Sequence, residues 1–155
     1  MNKRCCFAGH SHIDNRIDKN KLKDIIIELI ENEGVYEFWV GNYGYFDSVS
    51  AEAVRELKSI YSQISLVLVI PYLTKEINDN KKSYHSNYDY ILHADIPDST
   101  PKKYRIIKTN EYMVNNSDFL ICYVQHCFGG AAKTLEYARK KKHIKIINID
   151  KRYMQ

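Results

Sequence analysis

The sequence is poor in several features that mark common protein classes. Its 155 residues include only three prolines and six glycines, and no apolar run approaches the roughly 20 residues that a membrane-spanning helix needs. The four cysteines form no CxxC pair, and HExxH is absent. The phosphate-binding motifs GxGxxG and GxxxxGKS/T are absent as well. These absences disfavour ordinary dehydrogenases and P-loop NTPases, and we expect no membrane contact, no metal and no cofactor.

The composition, with 45% hydrophobic and 27% charged residues, is typical of a globular protein. Together with the length it predicts a single domain over residues 1–155. The stretch of low polarity after Met1–Arg4 is five residues long, too short for a signal peptide, so we expect a cytoplasmic protein. Lys and Arg number 23 against 19 Asp and Glu, a net charge of +4. That balance suits an anionic ligand but lacks the concentrated basic stripe of a nucleic-acid-binding protein, so nucleic acid is not expected as a partner.

Apolar runs of strand length alternate with segments of helical periodicity along the whole chain. We predict strands at 4–8, 37–40, 65–70, 88–92, 119–124 and 144–149, helices at 19–33, 48–62, 104–115 and 131–142, and a loop at 72–87. The strands are apolar throughout rather than alternating, which is typical of a parallel sheet that helices cover on both faces. The sequence therefore predicts a doubly wound α/β fold.

The placement of glycine is the most informative feature of the sequence. Five of the six glycines lie in the loops just after predicted strands, and they are Gly9, Gly41, Gly44, Gly129 and Gly130. Ligands of open parallel sheets bind outside the carboxyl ends of the strands, where glycine lets them approach backbone N–H groups and a helix N-terminus attracts phosphate. Three such loops predict a cleft for phosphate and ribose. Tight turns without a ligand are the alternative.

Polar and aromatic residues accompany these glycines and complete the predicted site. The candidate ligand-binding residues are Gly9, His10, Ser11, Gly41, Asn42, Tyr43, Gly44, Tyr45, Phe46, Asp47, Gly129, Gly130, Ala131, Thr134 and Glu136. The N–H groups around Gly9 and Gly130 would hold phosphate, and the side chains of Asn42, Asp47 and Glu136 would accept hydrogen bonds from ribose. At least one aromatic ring of residues 43–46 would stack on a base, unless these rings pack on each other and cover the core.

Histidines and an acid in the same loops allow two further interpretations. His10, His12, His126 and Cys127 have no recognised metal-ligand spacing, so His10 and His126 are expected to donate hydrogen bonds to phosphate or loop carbonyls. Glu136 lies six residues past Gly130. In an enzyme it would be the catalytic general base, or it would stabilise an oxocarbenium ion. Otherwise it is a surface residue paired with Lys140.

Three segments carry a family resemblance: CCFAGH at 5–10, NEYMVNNSDFLI at 110–121 and GGAAKTLE at 129–136. Together they resemble the SLOG superfamily, which includes the LOG phosphoribohydrolases, and the third segment is similar to the LOG pattern GGxGTxxE. The resemblance implies a Rossmann-like three-layer sandwich with a mostly parallel sheet. It also implies nucleotide binding in a cleft that a neighbouring subunit often completes, and hence a homo-oligomer.

The same resemblance favours binding over turnover. Thr109 stands where the LOG enzymes carry a substrate-holding arginine, and Arg105 and Lys108 on the same predicted helix are the candidate substitutes. We therefore expect the chain to bind a nucleotide-derived small molecule, an ADP-ribose-like or cyclic nucleotide signal, as a sensor or a sequestering protein, with phage defence as one setting. The alternatives are a nucleotide N-glycosidic hydrolase or deoxyribosyltransferase that uses Glu136, and an interaction module with a vestigial cleft.

Overall fold

Six parallel strands form one sheet in the part of the chain that the structure describes. The structure is a computed structural model, and it describes residues 2–10, 17–71 and 86–150. The strands are β1 (Lys3–Gly9), β2 (Val35–Val40), β3 (Ser65–Ile70), β4 (Tyr90–His93), β5 (Phe119–Tyr123) and β6 (Lys145–Asn148). They lie in the order β4-β3-β2-β1-β5-β6, and each neighbouring pair is parallel.

Helices cover both faces of this sheet. The helices are α1 (Lys19–Glu33), α2 (Tyr45–Leu57), α3 (Lys102–Asn115) and α4 (Gly130–Arg139). Helices α1 and α2 pack together on one face and form the α1–α2 layer, while α3 and α4 form the α3–α4 layer on the other. The predicted doubly wound, Rossmann-like α/β sandwich is confirmed. Among the described residues, no helix combines the length and the apolar character that crossing a bilayer requires.

Successive residues of each strand contribute to two separate cores. Phe7 and Phe38 pack under the α1–α2 layer with their ring centroids 6.2 Å apart. Their neighbours Cys6 and Trp39 face the α3–α4 layer. All five residues of β5 are buried. Burial on both faces explains why the strands lack a polar alternation in the sequence.

The predicted elements agree with the structure most closely where a helix has a clear stop. Helix α1 begins after Asp18, whose side chain accepts the N–H groups of Asn20 and Lys21, and ends at Gly34, whose φ of 73° is left-handed. Its bounds match the prediction, as do those of β3. The other strands and helices differ from the predicted limits at one end or both.

Helix α2 is the main discrepancy, because it begins at Tyr45 rather than Ser48 and ends at Leu57 rather than Ser62. Its N-terminal turn therefore includes Phe46, which sequence analysis placed in a loop. Ile60, expected on the apolar face, lies in a turn past the helix and is 71% exposed. Helix α4 likewise ends at Arg139 rather than Lys142. Most of the predicted loop at 72–87 lies outside the described residues.

Candidate functional site

A cleft opens at the carboxyl ends of β1 and β5, where the strand order reverses direction. Strand β1 is followed outward by β2, β3 and β4 on one side and by β5 and β6 on the other. The loops that leave β1 and β5 diverge at this point, so a crevice forms between them. Its volume is about 390 Å³, and its walls are Ala8, Gly9, His10, Tyr43, Asp47, Ile106, Asn110, His126, Phe128, Gly129, Gly130 and Ala131.

A stack of three aromatic rings forms one wall of the cleft. The ring centroids of His10 and His126 are 3.8 Å apart with 15° between their planes, and those of His126 and Phe128 are 3.8 Å apart with 18° between theirs. His10 is 6% exposed, whereas Phe128 is 68% exposed. The stack therefore runs from the interior to the surface, and its last ring presents a bare face.

His10 ties the loop after β1 to the loop after β5. Its Nε2 accepts a hydrogen bond from the Gln125 N–H at 2.9 Å, so the proton of the neutral ring is on Nδ1. The backbone N–H of His10 donates a hydrogen bond to the Tyr123 carbonyl at 3.4 Å. Burial, and then the neighbouring His126 ring, lower the pKa of His10. The ring therefore acts here as a neutral acceptor, not as the donor that sequence analysis predicted. The Nδ1 of His126 is buried and has no hydrogen-bond partner within the described residues.

The three glycines of the cleft differ in what requires them. A Cβ on Gly9 would lie 2.3 Å from Cγ of Phe46, so this glycine is required by packing inside the protein. Gly129 has a left-handed φ of 92°, which favours glycine at the N-cap of α4. A Cβ on Gly130 would meet no atom within 4 Å, and its φ is not left-handed. Nothing in the described chain requires glycine at 130, and its absent side chain keeps the start of α4 open.

Asp47 is the one acidic side chain among the described residues that line the cleft. It lies in the first turn of α2, and its Oδ2 accepts the Tyr43 N–H at 3.0 Å. Burial raises the pKa of Asp47 to about 6, although the hydrogen bond from Tyr43 acts in the opposite direction. The carboxyl group is therefore neutral in mildly acidic solution and charged at neutral pH.

Seven of the predicted site residues meet in this cleft, namely Gly9, His10, Tyr43, Asp47, Gly129, Gly130 and Ala131. Phe46 is 1% exposed and packs edge-on against Phe7, so its predicted stacking on a base is wrong. Tyr45 is half-buried against the same core. Gly41, Asn42 and Gly44 belong to the turn before α2 and are not part of the cleft wall. Ser11 lies outside the described residues.

Three further predicted residues do not line the cleft. Arg105 donates to the carbonyls of Thr100 at 3.0 Å and Asp98 at 3.4 Å and does not line the cleft. Thr134 donates to the Gly130 carbonyl. Glu136 is exposed and pairs with Arg139 at 2.6 Å, one residue short of the predicted partner Lys140. Thr134 and Glu136 both line a neighbouring depression between α3 and α4.

The exposed ring of Phe128 and the two α3 residues on the wall, Ile106 and Asn110, were not among the predicted site residues. The available signal was an aromatic residue directly before the Gly129–Gly130 pair. Aromatic character alone does not tell a core ring from an exposed one. The structure makes that distinction by burying Phe46 and exposing Phe128.

Charge is distributed unequally between the two helical layers. Helices α1 and α2 carry seven acidic and four basic side chains. Helices α3 and α4 carry two acidic and six basic side chains, and the basic run 140–142 follows α4 directly. Two α3 residues line the cleft, so the basic layer borders it. The small net charge of the chain conceals this concentration.

The family profile of YpsA, described as the YspA SLOG family, matches residues 5–152. The chain belongs to the YpsA SLOG family. Membership confirms the resemblance to the SLOG superfamily and accounts for the Rossmann-like sandwich. No curated protein matches the sequence.

Two solved structures similar to this YpsA-family chain are DNA processing protein A (DprA) from Streptococcus pneumoniae and from Helicobacter pylori. The first has a TM-score of 0.63 at 15% identity, and the second 0.64 at 16%. Each alignment covers 93% of this chain, which spans 49% of the first protein and 63% of the second. The second structure is described by its single-stranded DNA binding mode.

These neighbours correct two expectations from the sequence. A nucleotide-derived small molecule was predicted as the ligand, with N-glycosidic cleavage as the alternative, and nucleic acid was set aside as a partner. Both predictions are wrong by this comparison, because the similar folds are DNA-processing proteins. The expectation about nucleic acid was based on the charge of the chain as a whole. A net charge of +4 averages an acidic layer and a basic one.

Proposed function

We propose that the cleft between β1 and β5 binds single-stranded DNA. The observation that carries this proposal is the 68% exposed ring of Phe128, held in place by its stack on His126 and His10. A flat aromatic ring that is held in place and exposes one face suits a flat ligand. Every nucleobase has such a face, and stacking on an aromatic side chain contributes about 1–3 kcal/mol per base.

A single strand fits this arrangement better than a duplex. Bases within a duplex already stack on their neighbours, so an aromatic platform gains a partner only where a base is unstacked. The cleft, at about 390 Å³, is a concave recess beside the platform rather than a surface that follows a groove. The DNA-processing proteins with the same fold support this class of ligand, since one is described as binding single-stranded DNA.

The phosphate backbone has two sources of attraction beside the platform. The N-terminus of α4 offers unpaired N–H groups, and Gly130 leaves them accessible. The basic side chains of α3 and α4 supply the long-range attraction that dominates nucleic-acid affinity. We assign Gly129, Gly130 and Ala131 to a phosphate, and His10 and His126 to positioning Phe128 under a base.

Binding of a fluorescein-labelled oligothymidylate, measured by fluorescence anisotropy, tests the proposal. The variant Phe128→Ala should weaken binding about tenfold, corresponding to the loss of one stacked base. Phe128→Trp should retain binding because it keeps the platform. The matched control is Tyr90→Ala, which removes another highly exposed aromatic ring, 62% exposed on the edge strand β4. Equal losses in the Phe128→Ala and Tyr90→Ala variants would refute the proposal, as would equal affinity for the single strand and its duplex.

We place this activity in the cytoplasm, on the support of four free cysteines, three of them buried, which suit a reducing compartment. We also propose that the protein acts as a homo-oligomer, because several copies on one strand would bind more tightly than one. Light scattering of the purified protein checks this, and a monomer at micromolar concentration would contradict it.

A further inference from the structure

A second depression lies beside the cleft, between α3 and α4. We call it the α3–α4 groove; it has a volume of about 320 Å³, and its lining includes Ile107, Glu111, Cys127, Lys133, Tyr137 and Lys140. Cys127 of the groove precedes Phe128 of the cleft, and Ala132 of the groove follows Ala131 of the cleft. The two recesses are therefore adjacent, and a chain that leaves Phe128 along α4 enters the groove.

The groove has unpaired positive charge. Lys133 and Lys140 are exposed, and neither ammonium group has an ion-pair partner among the described residues. The two acids of the groove are already paired, Glu136 with Arg139 at 2.6 Å and Glu111 with Lys108 at 3.4 Å. The acids are therefore partly neutralised by cations outside the lining, while the lysines remain available for an anion.

Lys133 lies in the first turn of α4, and Lys140 is the residue directly after its end. They are seven residues apart, about two helical turns, which corresponds to roughly 10 Å along the axis. The lining that they share includes the apolar side chain of Ile107 from α3 and the ring of Tyr137 from α4. The Tyr137 hydroxyl donates to Oδ1 of Asn115 at 3.0 Å, which fixes this wall between the helices. Two cations that share a recess with an apolar side chain and an aromatic ring suit successive phosphates with sugars or bases between them.

We propose that the α3–α4 groove binds the nucleotides that adjoin the stacked base, with Lys133 and Lys140 contacting their phosphates. This inference rests on the proposed single-stranded DNA binding and extends it from one base to a strand of several nucleotides. The groove determines the path of the strand across the α3–α4 layer. It also makes the affinity depend on the length of the strand.

Oligothymidylates of 4 and 12 nucleotides, compared by fluorescence anisotropy, separate the groove from the cleft. The double variant Lys133→Glu/Lys140→Glu should weaken binding of the 12-mer at least tenfold more than binding of the 4-mer, because only the longer strand reaches from the cleft along the whole groove. For the milder Lys133→Gln/Lys140→Gln variant, the slope of log K against log salt concentration for 12-mer binding should become less steep by about 1.4. Each phosphate contact on a single strand contributes about 0.7 to that slope, and the variant removes two.

A second double variant controls for total charge. Lys21→Glu/Lys145→Glu makes the same change in net charge at two exposed lysines, one on α1 and one at the start of β6, outside the groove. It should leave 12-mer binding within about threefold of wild type. Equal losses of 12-mer affinity in the two Glu double variants would contradict the proposed DNA binding by the groove. Equal wild-type affinity for the 4-mer and the 12-mer would contradict it as well.

The result with Phe128 distinguishes failure of the groove from failure of the proposed function. If Phe128→Ala weakens binding of the 4-mer while the lysine variants bind the 12-mer normally, the cleft binds DNA and the groove does not. If wild-type protein binds neither oligonucleotide, the proposed function is refuted and the groove with it. Circular dichroism of each variant at the assay temperature ensures that only folded protein is compared.

Discussion

The α1–α2 layer and the α3–α4 layer cover the same sheet but differ in charge and packing. The first buries large side chains, with Leu22 and Ile26 of α1 fully enclosed, and four of the five phenylalanines lie in its core. The second uses small residues of α4 against the sheet, including Ala131, Ala132 and Ala138. The remaining phenylalanine, Phe128, is on the rim beside the second layer.

The two layers also use their charges differently. In the α1–α2 layer, Lys19 pairs with Glu52 and Glu56 and so joins the two helices. In the α3–α4 layer, Lys133 and Lys140 have no ion-pair partner within the described residues. Paired charges and a large apolar core contribute to stability, whereas unpaired cations and an exposed ring provide a surface for a ligand. We therefore expect substitutions in the first layer to affect folding and those on the rim of the second to affect binding.

The sharpest contrast is between two phenylalanines. Phe38→Ala removes a fully buried ring from the core of the first layer and should lower the free energy of unfolding by about 3–5 kcal/mol. Phe128→Ala removes an exposed ring and should change it by less than about 0.5 kcal/mol. Urea denaturation followed by circular dichroism measures both. Comparable losses would show that the Phe128 ring stack is part of the core, and the contrast between the layers would not hold.

Two glycines give a contrast of intermediate size. Gly9→Ala places a Cβ against the buried Phe46 ring and should destabilise the protein by about 1–3 kcal/mol. Gly130→Ala meets no atom within 4 Å at a helical position, so stability should be unchanged or slightly higher. Its methyl group should nevertheless weaken binding of oligothymidylate, because it protrudes at the start of α4. Thermal denaturation measures the stability of both variants, and fluorescence anisotropy measures their binding. Unimpaired binding by Gly130→Ala would contradict a phosphate site at the N-terminus of α4.

Asp47→Asn should stabilise the protein in a pH-dependent way. The native pKa of about 6 exceeds the ordinary 3.8, so the folded state binds the proton more tightly than the unfolded state between these values. Stability of the wild type therefore falls as pH rises from about 4 to 6 and stays lower above that range. The variant lacks this loss and should be more stable at pH 7.5 by on the order of 1–2 kcal/mol.

The measurement for Asp47 is the free energy of unfolding between pH 4 and pH 8. Asp24→Asn, at an exposed position of α1, is the control and should follow the wild-type profile. The Asp47→Asn variant should also bind oligothymidylate more tightly at pH 7.5, since it removes a negative charge from the cleft. An Asp47→Asn profile parallel to that of the wild type would contradict the raised pKa.

The smallest effect is expected for Lys19→Ala. Its ion pairs with Glu52 and Glu56 are exposed, and such pairs contribute little in salt. The melting temperature should fall slightly at low ionic strength and return towards that of wild type in 1 M NaCl. Lys133→Ala removes a lysine without an ion-pair partner in the described chain and should leave the melting temperature unchanged at either salt concentration.

The fold was predictable from the sequence because its signals are local. The spacing of Leu22, Ile26 and Leu29, with Gly34 as a stop, predicts α1, and the unbroken apolar run 65–70 predicts β3. Glycines after the strands indicated the correct edge of the sheet. Helix α2 was less predictable, because its first turn follows Gly41 and Gly44 closely and glycines of this kind favour a loop.

The details of the site depended on three-dimensional information that spacing does not provide. Phe46 and Phe128 are both aromatic residues near glycine, and only the packing of Phe7 against Phe46 decides which ring is buried. The basic layer was missed for a similar reason. Helices α3 and α4 are separated by β5 in the sequence, and their lysines become one surface only when the two helices pack together.

The pairing of β1 with β5 has a consequence for how the protein reaches its binding state. The hydrogen bond from Gln125 to His10 joins residues 115 positions apart, so the walls of the cleft come from opposite ends of the chain. Contacts of such long range form only after a large loop has closed, which makes folding slow. A nascent or partly unfolded chain therefore has no cleft, and DNA would bind only molecules in which β1 has already paired with β5.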